Sequence, residues 1–401
     1  MKYIIVVPDG MADYPIKELG NKTPLEAARK NNMQHMVERG MTGLIQTIPA
    51  GMPPGSDIGN LALLGYDPKK NFTGRAPLEA ANLNVMLADD EIAFRCNLVT
   101  IENGRMLDYS AGHIPTKEAG TLIEILNKDI DAVDAKFYAG KSYRHLLVLK
   151  SRNIERLMKI KFSPPHDILG KEIKNYLPKE REAVPILAFM EKSKKILSEH
   201  PINQVRVDLK ENPANMIWLW GQGTKPQLPL FKEKFGISGA IISAVDLVNG
   251  IGRLAGLEVI DVPGATGYYD TNFKGKAEYA LEALKHKDFV YIHIEAPDEA
   301  GHNGDVKNKL ASIENIDRDI IGTILNHFNE QDDVRILVLP DHPTPVSLRT
   351  HSNEPVPFLI FGKGIRPDGS REFGETAAKE NGVRFKSGEE MMDFFIRRHL
   401  S

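Results

Sequence analysis

The sequence predicts an α/β fold in which a doubly wound, mostly parallel sheet of the core carries a smaller inserted α+β domain. Three observations predict it. Short apolar runs alternate with helical patterns along most of the chain. The runs Tyr3–Val7 and Arg335–Leu339 are apolar nearly throughout, which is typical of central strands covered on both faces. The middle of the chain, from about residue 83 to 235, is more polar and less regular.

The expected elements follow from hydrophobic periodicity. Short apolar runs predict strands at Tyr3–Val7, His145–Leu149, Ala240–Ser243, Phe289–Ile294, Arg335–Leu339 and Pro357–Phe361. Apolar residues at helical spacing predict helices at Thr23–Arg39, Asp57–Leu64, Lys117–Asn127, Ala244–Ala255, Lys276–Leu284 and Lys307–Phe328. A charged stretch at Lys150–Lys161 and proline-rich turns near Ser163–His166 interrupt the alternation. We therefore assign residues 1–82 and 236–401 to a core domain and residues 83–235 to an inserted domain.

Composition narrows the class of protein. The 401 residues can bury a substantial core, and the formal net charge of −3 argues against nucleic-acid binding by bulk positive charge. The apolar run at the N-terminus is too short for a signal peptide or a membrane span. Cys96 is the only cysteine, so an intrachain disulfide and a cysteine-based metal cluster are excluded. We expect a cytoplasmic protein without a membrane or nucleic-acid partner, of undetermined oligomeric state.

Acidic residues follow three of the expected strands at the point where each strand ends. Asp9 follows the first strand, Asp298 the fourth and Asp341 the fifth. In an open α/β sheet, ligands collect just beyond the carboxyl ends of parallel strands. We therefore expect these acids to face one crevice, together with three nearby histidines: His302, His342 and His351.

Carboxylates mixed with neutral imidazoles suit Zn²⁺, Mn²⁺ or a similar divalent ion. Asp298 and His302 are four residues apart, so one helical turn would place both on the same side. Any one strand-end acid could instead be a turn residue or a helix N-cap, but the whole set is harder to explain in that way. Six candidate ligands exceed the needs of one catalytic metal and suit two metals about 4 Å apart.

Ser56 is the candidate nucleophile. A Pro-Pro-Gly turn leads directly through Ser56 into the helical pattern Asp57–Leu64. At a helix N-terminus, free N–H groups favour phosphate and developing negative charge. A hydroxyl needs a base or a metal to remove its proton, and no Gly-x-Ser-x-Gly motif surrounds Ser56. By spacing alone, an N-cap role is an equal alternative.

These motifs resemble the alkaline phosphatase superfamily and, within it, the cofactor-independent phosphoglycerate mutases of the archaeal type, which also occur in bacteria. The supporting segments span nearly the whole chain: PDGMADYPIKELGNKTPLEAA, PPGSDIGNLALLGYD, GRAPLEA, AFRCN, SAGHI, GATGYYDTN, APDEAGHNGD, LPDHPTP and EPVPFLIFG.

The resemblance implies a ligand set and a reaction. One metal, usually manganese, magnesium or zinc, would be held by Asp298, His302 and His351. The other would be held by Asp9, Ser56, Asp341 and His342. Ser56 would become phosphorylated and return the phosphoryl group to a different hydroxyl of the retained glycerate, which interconverts 2-phosphoglycerate and 3-phosphoglycerate. The inserted domain would bind substrate and keep water from the phosphoserine.

Four further residues are candidates for substrate binding. His113 lies where the family places a phosphate- or substrate-facing residue. Arg75 and Arg144 could clamp an anion, because a guanidinium grips phosphate or carboxylate with two hydrogen bonds. Lys225 follows a glycine-rich segment and is a further candidate. The alternative for each of the three cations is a solvated surface charge.

Two other functions remain open. Several of the segments also resemble a bacterial branch proposed to act as homoserine kinases, which would transfer phosphate from ATP to homoserine on the same metal site. Archaeal mutases commonly carry arginine where this chain has His113, although the sequence contains no P-loop motif. A plain phosphomonoesterase or a non-catalytic metal-binding relative is a third reading. It is disfavoured because the chain has a suitable residue at every expected ligand position and a serine at position 56.

Overall fold

The computed structural model describes residues 1–130, 132–329 and 332–397. The chain divides into two compact units, residues 1–72 with 227–401 and residues 73–226. The second unit begins and ends earlier than the predicted limits of 83 and 235. The helix Arg75–Asn82 explains the earlier start, because Ala76 and Ala80 pack with Ala93, Leu146 and Val148 of the second unit.

The strands run in chain order as follows: β1 (Lys2–Pro8), β2 (Met41–Ile45), β3 (Glu91–Glu102), β4 (Arg105–Asp108), β5 (Ala135–Tyr138), β6 (Arg144–Lys150), β7 (Met216–Thr224), β8 (Gly239–Ile242), β9 (Glu258–Val259), β10 (Phe289–Ile294), β11 (Val334–Val338), β12 (Val356–Gly362) and β13 (Arg384–Phe385).

The α-helices run in chain order as follows: α1 (Pro24–Ala27), α2 (Asn31–Val37), α3 (Ser56–Leu63), α4 (Pro68–Asn71), α5 (Arg75–Asn82), α6 (Thr116–Ile130), α7 (Ile154–Leu157), α8 (Val184–Ser198), α9 (Pro201–Asp208), α10 (Phe231–Phe235), α11 (Asp246–Leu254), α12 (Phe273–Leu284), α13 (Ala296–Asn303), α14 (Val306–Asn315), α15 (Gly322–His327), α16 (Glu375–Asn381) and α17 (Gly388–Met392). A π-helical segment, Ile316–Ile321, joins α14 to α15. No helix of the described ranges is both long and apolar enough to cross a membrane.

A mixed, mostly parallel sheet forms the centre of the first unit, in the order β13-β2-β12-β11-β1-β10-β8-β9. The parallel register pairs Val6 with Val338 and Pro8 with Ile294, so β11, β1 and β10 end at the same edge. β12 runs antiparallel to both β11 and β2. The side chains of β1 from Ile4 to Val7 are fully buried, as expected for a central strand. This confirms the predicted α/β class with a mostly parallel sheet.

The predicted helix Thr23–Arg39 is wrong as a single element, because the chain leaves the helical conformation at Ala28. Thr23 and Glu26 form a capping box that begins α1. The carboxylate of Asp317 then accepts the backbone N–H groups of Asn32 and Met33, which satisfies the first turn of α2. A cap supplied by a distant segment cannot be seen in local periodicity.

The second unit is built on an antiparallel sheet. β3 pairs with β4, β6 and β7, and β6 pairs with β5, all antiparallel. Its hydrophobic core includes Phe94, Leu122 and Trp218, which come from β3, α6 and β7. The unit therefore has a core of its own, as an independently packed domain does.

Candidate active site

The shared edge of β11, β1 and β10 places the three predicted acids in the first unit. Asp9 directly follows β1, Asp341 follows β11, and Asp298 lies in the first turn of α13, just after β10. Each of these carboxylates belongs to a residue that is at most 3% exposed. Burying acids without cationic or hydrogen-bonding partners is costly, so the surroundings of each carboxylate indicate its role.

The first cluster joins Asp298, His302 and His351. Nε2 of His302 lies 3.3 Å from Oδ2 of Asp298. The sequence predicts this contact, because the two residues are four apart on one helix. Nε2 of His351 lies 3.5 Å from Oδ1 of Asp298 and 2.9 Å from Nε2 of His302. On its other side, Nδ1 of His302 lies 3.1 Å from the carbonyl oxygen of Arg349. In a neutral ring whose Nδ1–H donates there, the lone pair of Nε2 points toward Asp298 and His351.

The second cluster joins Asp9, Asp341, His342 and Ser56. Nε2 of His342 lies 3.5 Å from a carboxylate oxygen of both Asp9 and Asp341, and 3.3 Å from Oγ of Ser56. Asn60 fixes the Asp341 carboxylate by donating from Nδ2 to Oδ2 at 2.8 Å. The structure therefore brings all seven predicted metal-site residues into two adjoining clusters of the first unit.

Ser56 reaches this position because α3 begins at Ser56 itself. The residue before it, Gly55, occupies the N-cap position, so Ser56 is not the capping residue. Its N–H belongs to the first turn, where backbone donors lack intrahelical partners. The hydroxyl is therefore held next to His342 at a helix end that favours negative charge.

His293, which was not predicted from the sequence, lies on β10 and is fully buried. Its Nε2 is 2.9 Å from Oδ2 of Asp9 and 3.8 Å from Oε2 of Glu295. One possible ligand atom from each of Asp9, His293 and Asp341 lies within 4.8 Å of the other two. Ligand atoms of Asp298, His342 and His351 form a second group of the same kind. The signal was a histidine in an otherwise apolar strand, one residue before the strand ends, which also fits a packed core histidine.

The buried acids have opposite titration behaviour. Burial, reinforced by Asp341 and Glu295, raises the pKa of Asp9 well above its usual value. Burial also raises the pKa of Glu295, to about 8. For Asp298 burial acts in the same direction, but hydrogen bonds from His302 and His351 outweigh it and hold the pKa well below its usual value. A hydrogen bond to Asp298 raises the pKa of His302 to about 9.

The residues present fit divalent ions. Ligand atoms bonded at about 2.1 Å in a tetrahedral site stand about 3.4 Å apart, close to the spacings within both clusters. Oδ1 of Asp9 has no hydrogen-bond partner among the described residues, although the residue is completely buried. Mixed carboxylate and imidazole donors suit Mn²⁺, Zn²⁺ or Mg²⁺ with differing preference. A cation here would favour the ionised form of Asp9 and offset the repulsion among the acids.

The second unit contains the other predicted residues. Arg75 begins α5, and its Nε lies 3.5 Å from Oε1 of Glu79. Arg144 begins β6, and its guanidinium lies 5.7 Å from the ring centre of Tyr143. Burial, with the nearby positive charges of Arg75 and Arg144, lowers the pKa of Arg95 to about 10, although Glu79 opposes this.

Arg95, which was not predicted from the sequence, is close enough to Arg75 and Arg144 for their charges to affect it. It donates from Nε to Glu79 at 2.9 Å, and its guanidinium lies 4.2 Å from the ring centre of Trp220. Its position inside the apolar run of β3 is unusual for arginine and could have drawn attention. We use the name arginine cluster for Arg75, Arg95 and Arg144.

His113 and Lys225 occupy different surroundings. His113 is exposed and has a φ of 51°, next to Ala111 at 49° and Gly112 at 66°, so three successive residues are left-handed. Such backbone is strained for non-glycine residues and is often found at functional sites. Asp108 holds this loop by accepting the N–H groups of Ser110 and Gly112. Lys225 forms an exposed ion pair with Asp89 at 3.3 Å.

The fold and the gathered acids and imidazoles define the class as an α/β protein with a candidate metal site at the carboxyl ends of its parallel strands. A family model described as 2,3-bisphosphoglycerate-independent phosphoglycerate mutase matches residues 38–203. A relative of that name from Methanosarcina acetivorans is 48% identical over 399 residues, covering 99% of this chain and 100% of the relative. The chain therefore belongs to the 2,3-bisphosphoglycerate-independent phosphoglycerate mutase family.

Further similarities extend over the full length. A probable mutase of this family from Geobacter sulfurreducens is 47% identical, covering 99% of this chain and 100% of the relative. A solved protein structure from Pyrococcus horikoshii has a TM-score of 0.83 and 33% identity, covering 100% of this chain and 98% of that one. The cofactor-independent phosphoglycerate mutase from Thermoplasma acidophilum has a TM-score of 0.67 and 29% identity, covering 99% of each chain.

Proposed function

We propose that the chain interconverts 2-phosphoglycerate and 3-phosphoglycerate through a phosphoserine at Ser56, beside two divalent ions. The observation that carries the proposal is the position of Ser56, whose Oγ lies 3.3 Å from Nε2 of His342 within the carboxylate and imidazole clusters. Relatives that are 48% identical over essentially the whole chain are named as mutases, which supports this substrate over other phosphate esters.

Two sets of residues would hold the ions. Asp298, His302 and His351 would hold one ion, and Asp9, Ser56, Asp341 and His342 the other. The short distances within each set support this division. When bound, the ions would neutralise charge on the transferred phosphoryl group and lower the pKa of the serine hydroxyl. Mn²⁺, Mg²⁺ and Zn²⁺ are all compatible with these donors.

The chain's own residues would carry two transfers. The Oγ atom of Ser56 forms a bond to the phosphorus of the substrate as the bond from phosphorus to the glycerate oxygen breaks. The glycerate stays bound, and its other hydroxyl then attacks the phosphoserine, which regenerates Ser56. The free N–H groups at the start of α3 favour the phosphoryl group at this position. Dividing the rearrangement into two displacements replaces one difficult step with two easier ones.

The second unit would supply substrate recognition. We assign binding of the anionic groups of the substrate to the arginine cluster, because guanidinium forks match carboxylate and phosphate. Nε of Arg144 is buried and has no hydrogen-bond partner among the described residues, so it is available for a ligand. His113, on its strained loop, would be a second contact. The exposed pair of Lys225 and Asp89 makes Lys225 a weaker candidate than the arginines.

A two-substrate assay tests the proposal. The purified protein with Mn²⁺ is given 3-phosphoglycerate alone in one reaction and homoserine with ATP in another. We expect 2-phosphoglycerate to form without nucleotide and without added bisphosphoglycerate, and a chelator to stop the reaction. Formation of phosphohomoserine with ADP, and no isomerisation of phosphoglycerate, would overturn the mutase assignment in favour of the homoserine kinase reaction.

A further inference from the structure

The hydroxyl of Thr344 connects the two clusters. Its Oγ1 lies 2.5 Å from Oδ1 of Asp298 and 3.2 Å from Nδ1 of His342. Asp298 belongs to the first cluster and His342 to the second, and Thr344 is completely buried. One side chain outside both ligand sets therefore contacts a member of each.

The protons of this contact can be assigned from chemistry. A carboxylate that ligates a metal ion is ionised, so as a ligand Asp298 can only accept hydrogen bonds. The single proton of the Thr344 hydroxyl must therefore be donated to Asp298. The remaining contact requires Nδ1–H of His342 to donate to Oγ1 of Thr344. A neutral imidazole with its proton on Nδ1 keeps the lone pair of Nε2 for the atoms it faces, which include Oγ of Ser56.

The surroundings of Thr344 leave little freedom to its hydroxyl. A Cβ added at Gly10 would lie 2.5 Å from Oγ1 of Thr344, and one added at Gly301 would collide with the Thr344 carbonyl oxygen. Nζ of Lys309 donates to that same carbonyl oxygen at 2.7 Å and pairs with Asp13 at 2.6 Å. Two glycines and a buried cation therefore fix the backbone and side chain of Thr344.

We propose that Thr344 is a positioning residue that sets the tautomer of His342 and the orientation of the Asp298 carboxylate, and thereby couples the two ion sites. The inference rests on the proposed function, because it takes both residues as metal ligands. A ligating histidine usually donates its second ring N–H to a nearby acceptor, which fixes the ring and raises its basicity. Here the acceptor is a hydroxyl that also restrains a ligand of the other ion.

Three variants separate hydroxyl chemistry from packing. Thr344→Val keeps the shape of the side chain and removes the hydroxyl, whereas Thr344→Ser keeps the hydroxyl and removes the methyl group. Thr47→Val is the control, because Thr47 is 1% exposed in the same unit and its hydroxyl has no hydrogen-bond partner among the described residues. If Thr344→Val does not fold, Thr344→Ala removes the same hydroxyl without adding an atom.

The experiment measures Mn²⁺ binding to the metal-free protein by calorimetry and by the electron paramagnetic resonance of free Mn²⁺. We expect Thr344→Val to bind Mn²⁺ about 10–100-fold more weakly, the range typical for loss of a partner of a ligating residue. The loss should extend to both ions, because Thr344 touches a ligand of each. Thr344→Ser and Thr47→Val should bind like the unmodified protein, and kcat should fall only in Thr344→Val.

The outcomes distinguish this inference from the proposed function. Equal Mn²⁺ affinity in Thr344→Val and the unmodified protein would overturn the inference and leave the metal site intact. Equal losses in Thr344→Val and Thr344→Ser would also overturn it, because both would then reflect packing. Absence of Mn²⁺ binding by the unmodified protein would instead overturn the proposed function, and the inference with it.

Discussion

Gly59 lies against Asp341 so closely that a Cβ atom at position 59 would come within 2.7 Å of the Asp341 carbonyl oxygen and 2.9 Å of its Cβ. Gly59 is on α3, one turn after Ser56, and Asp341 is one of the predicted metal ligands. The close approach of backbone to backbone sets the distance between the nucleophile and the ligands around it. Glycine is required there by space rather than by backbone angle.

Gly59→Ala should therefore lower activity more than stability. The substitution gains helix propensity but must push α3 away from Asp341, and a displacement of about 1 Å from reacting geometry can cost about a hundredfold in rate. We expect kcat to fall by about one to two orders of magnitude in the isomerisation assay. Gly120→Ala on α6 is the control, because a Cβ there meets nothing within 4 Å and should stabilise by about 0.5–1 kcal/mol. Similar kcat values in both variants would show that α3 tolerates the shift.

Asp298→Asn should reduce metal binding at one site. The amide keeps the size of the side chain but loses the charge that binds a cation and that pairs with His302 and His351. We expect Mn²⁺ affinity to fall at least about a hundredfold at that site, since even indirect partners of ligands contribute 10–100-fold. Equilibrium dialysis measures the change. Asp333→Asn is the control, because the carboxylate of Asp333 forms an exposed ion pair with Lys363. An unchanged Mn²⁺ content in Asp298→Asn would remove Asp298 from the ligand set.

The ion pair between Lys309 and Asp13 should be important for stability. Both side chains are almost completely buried, and Nζ of Lys309 also donates to the carbonyl oxygen of Thr344. Lys309→Met leaves the Asp13 carboxylate without its cation, so we expect the free energy of unfolding to fall by about 3–5 kcal/mol. Urea denaturation followed by fluorescence measures this. The double variant with Asp13→Asn should recover part of the loss. If it recovers nothing, the pair does not act as a unit.

The carboxyl group of Glu375, which is not one of the proposed metal ligands, should make the free energy of unfolding depend on pH. Burial raises its pKa from an ordinary value of 4.5 to about 7, although hydrogen bonds from Thr23 and the N–H of Asp13 oppose the rise. Between these values the folded state holds a proton that the unfolded state has lost. The contribution of Glu375 to stability therefore decreases as pH rises from about 4.5 to 7 and is constant above that.

Glu375→Gln should remove this contribution, because the amide is neutral at every pH in the window. We expect the variant to gain stability over the unmodified protein by on the order of 2 kcal/mol between pH 5 and 8. Urea denaturation at both pH values measures the difference, and Glu380→Gln on the exposed face of α16 serves as the control. A constant difference across this range would show that Glu375 is already ionised at pH 5.

The sequence predicts the parts of this site that depend on strand ends and on the spacing of residues within one helix. Asp9, Asp298 and Asp341 could be placed together because each follows an apolar strand, and parallel strands end at one edge. The spacing of Asp298 and His302 predicts their contact because one helical turn aligns them. These inferences need only local periodicity and the rules of parallel sheets.

The parts that were missed depend on contacts between distant segments. His293 is a polar residue inside a buried strand, and only the approach of β1 shows that it faces Asp9. The division of Thr23–Arg39 into α1 and α2 depends on a carboxylate supplied by Asp317. The role of Thr344 depends on its contacts with both Asp298 and His342, and no sequence pattern reports such a contact.

Trapping the phosphorylated intermediate tests the central claim most directly. The enzyme with Mn²⁺ is quenched in acid while it turns over 3-phosphoglycerate, digested, and mapped by mass spectrometry. The account predicts one phosphoryl group on the peptide that contains Ser56, and no phosphoryl group and no isomerisation in Ser56→Ala, which still binds Mn²⁺. Isomerisation by Ser56→Ala at the rate of the unmodified enzyme, or phosphate found on a different residue, would contradict it.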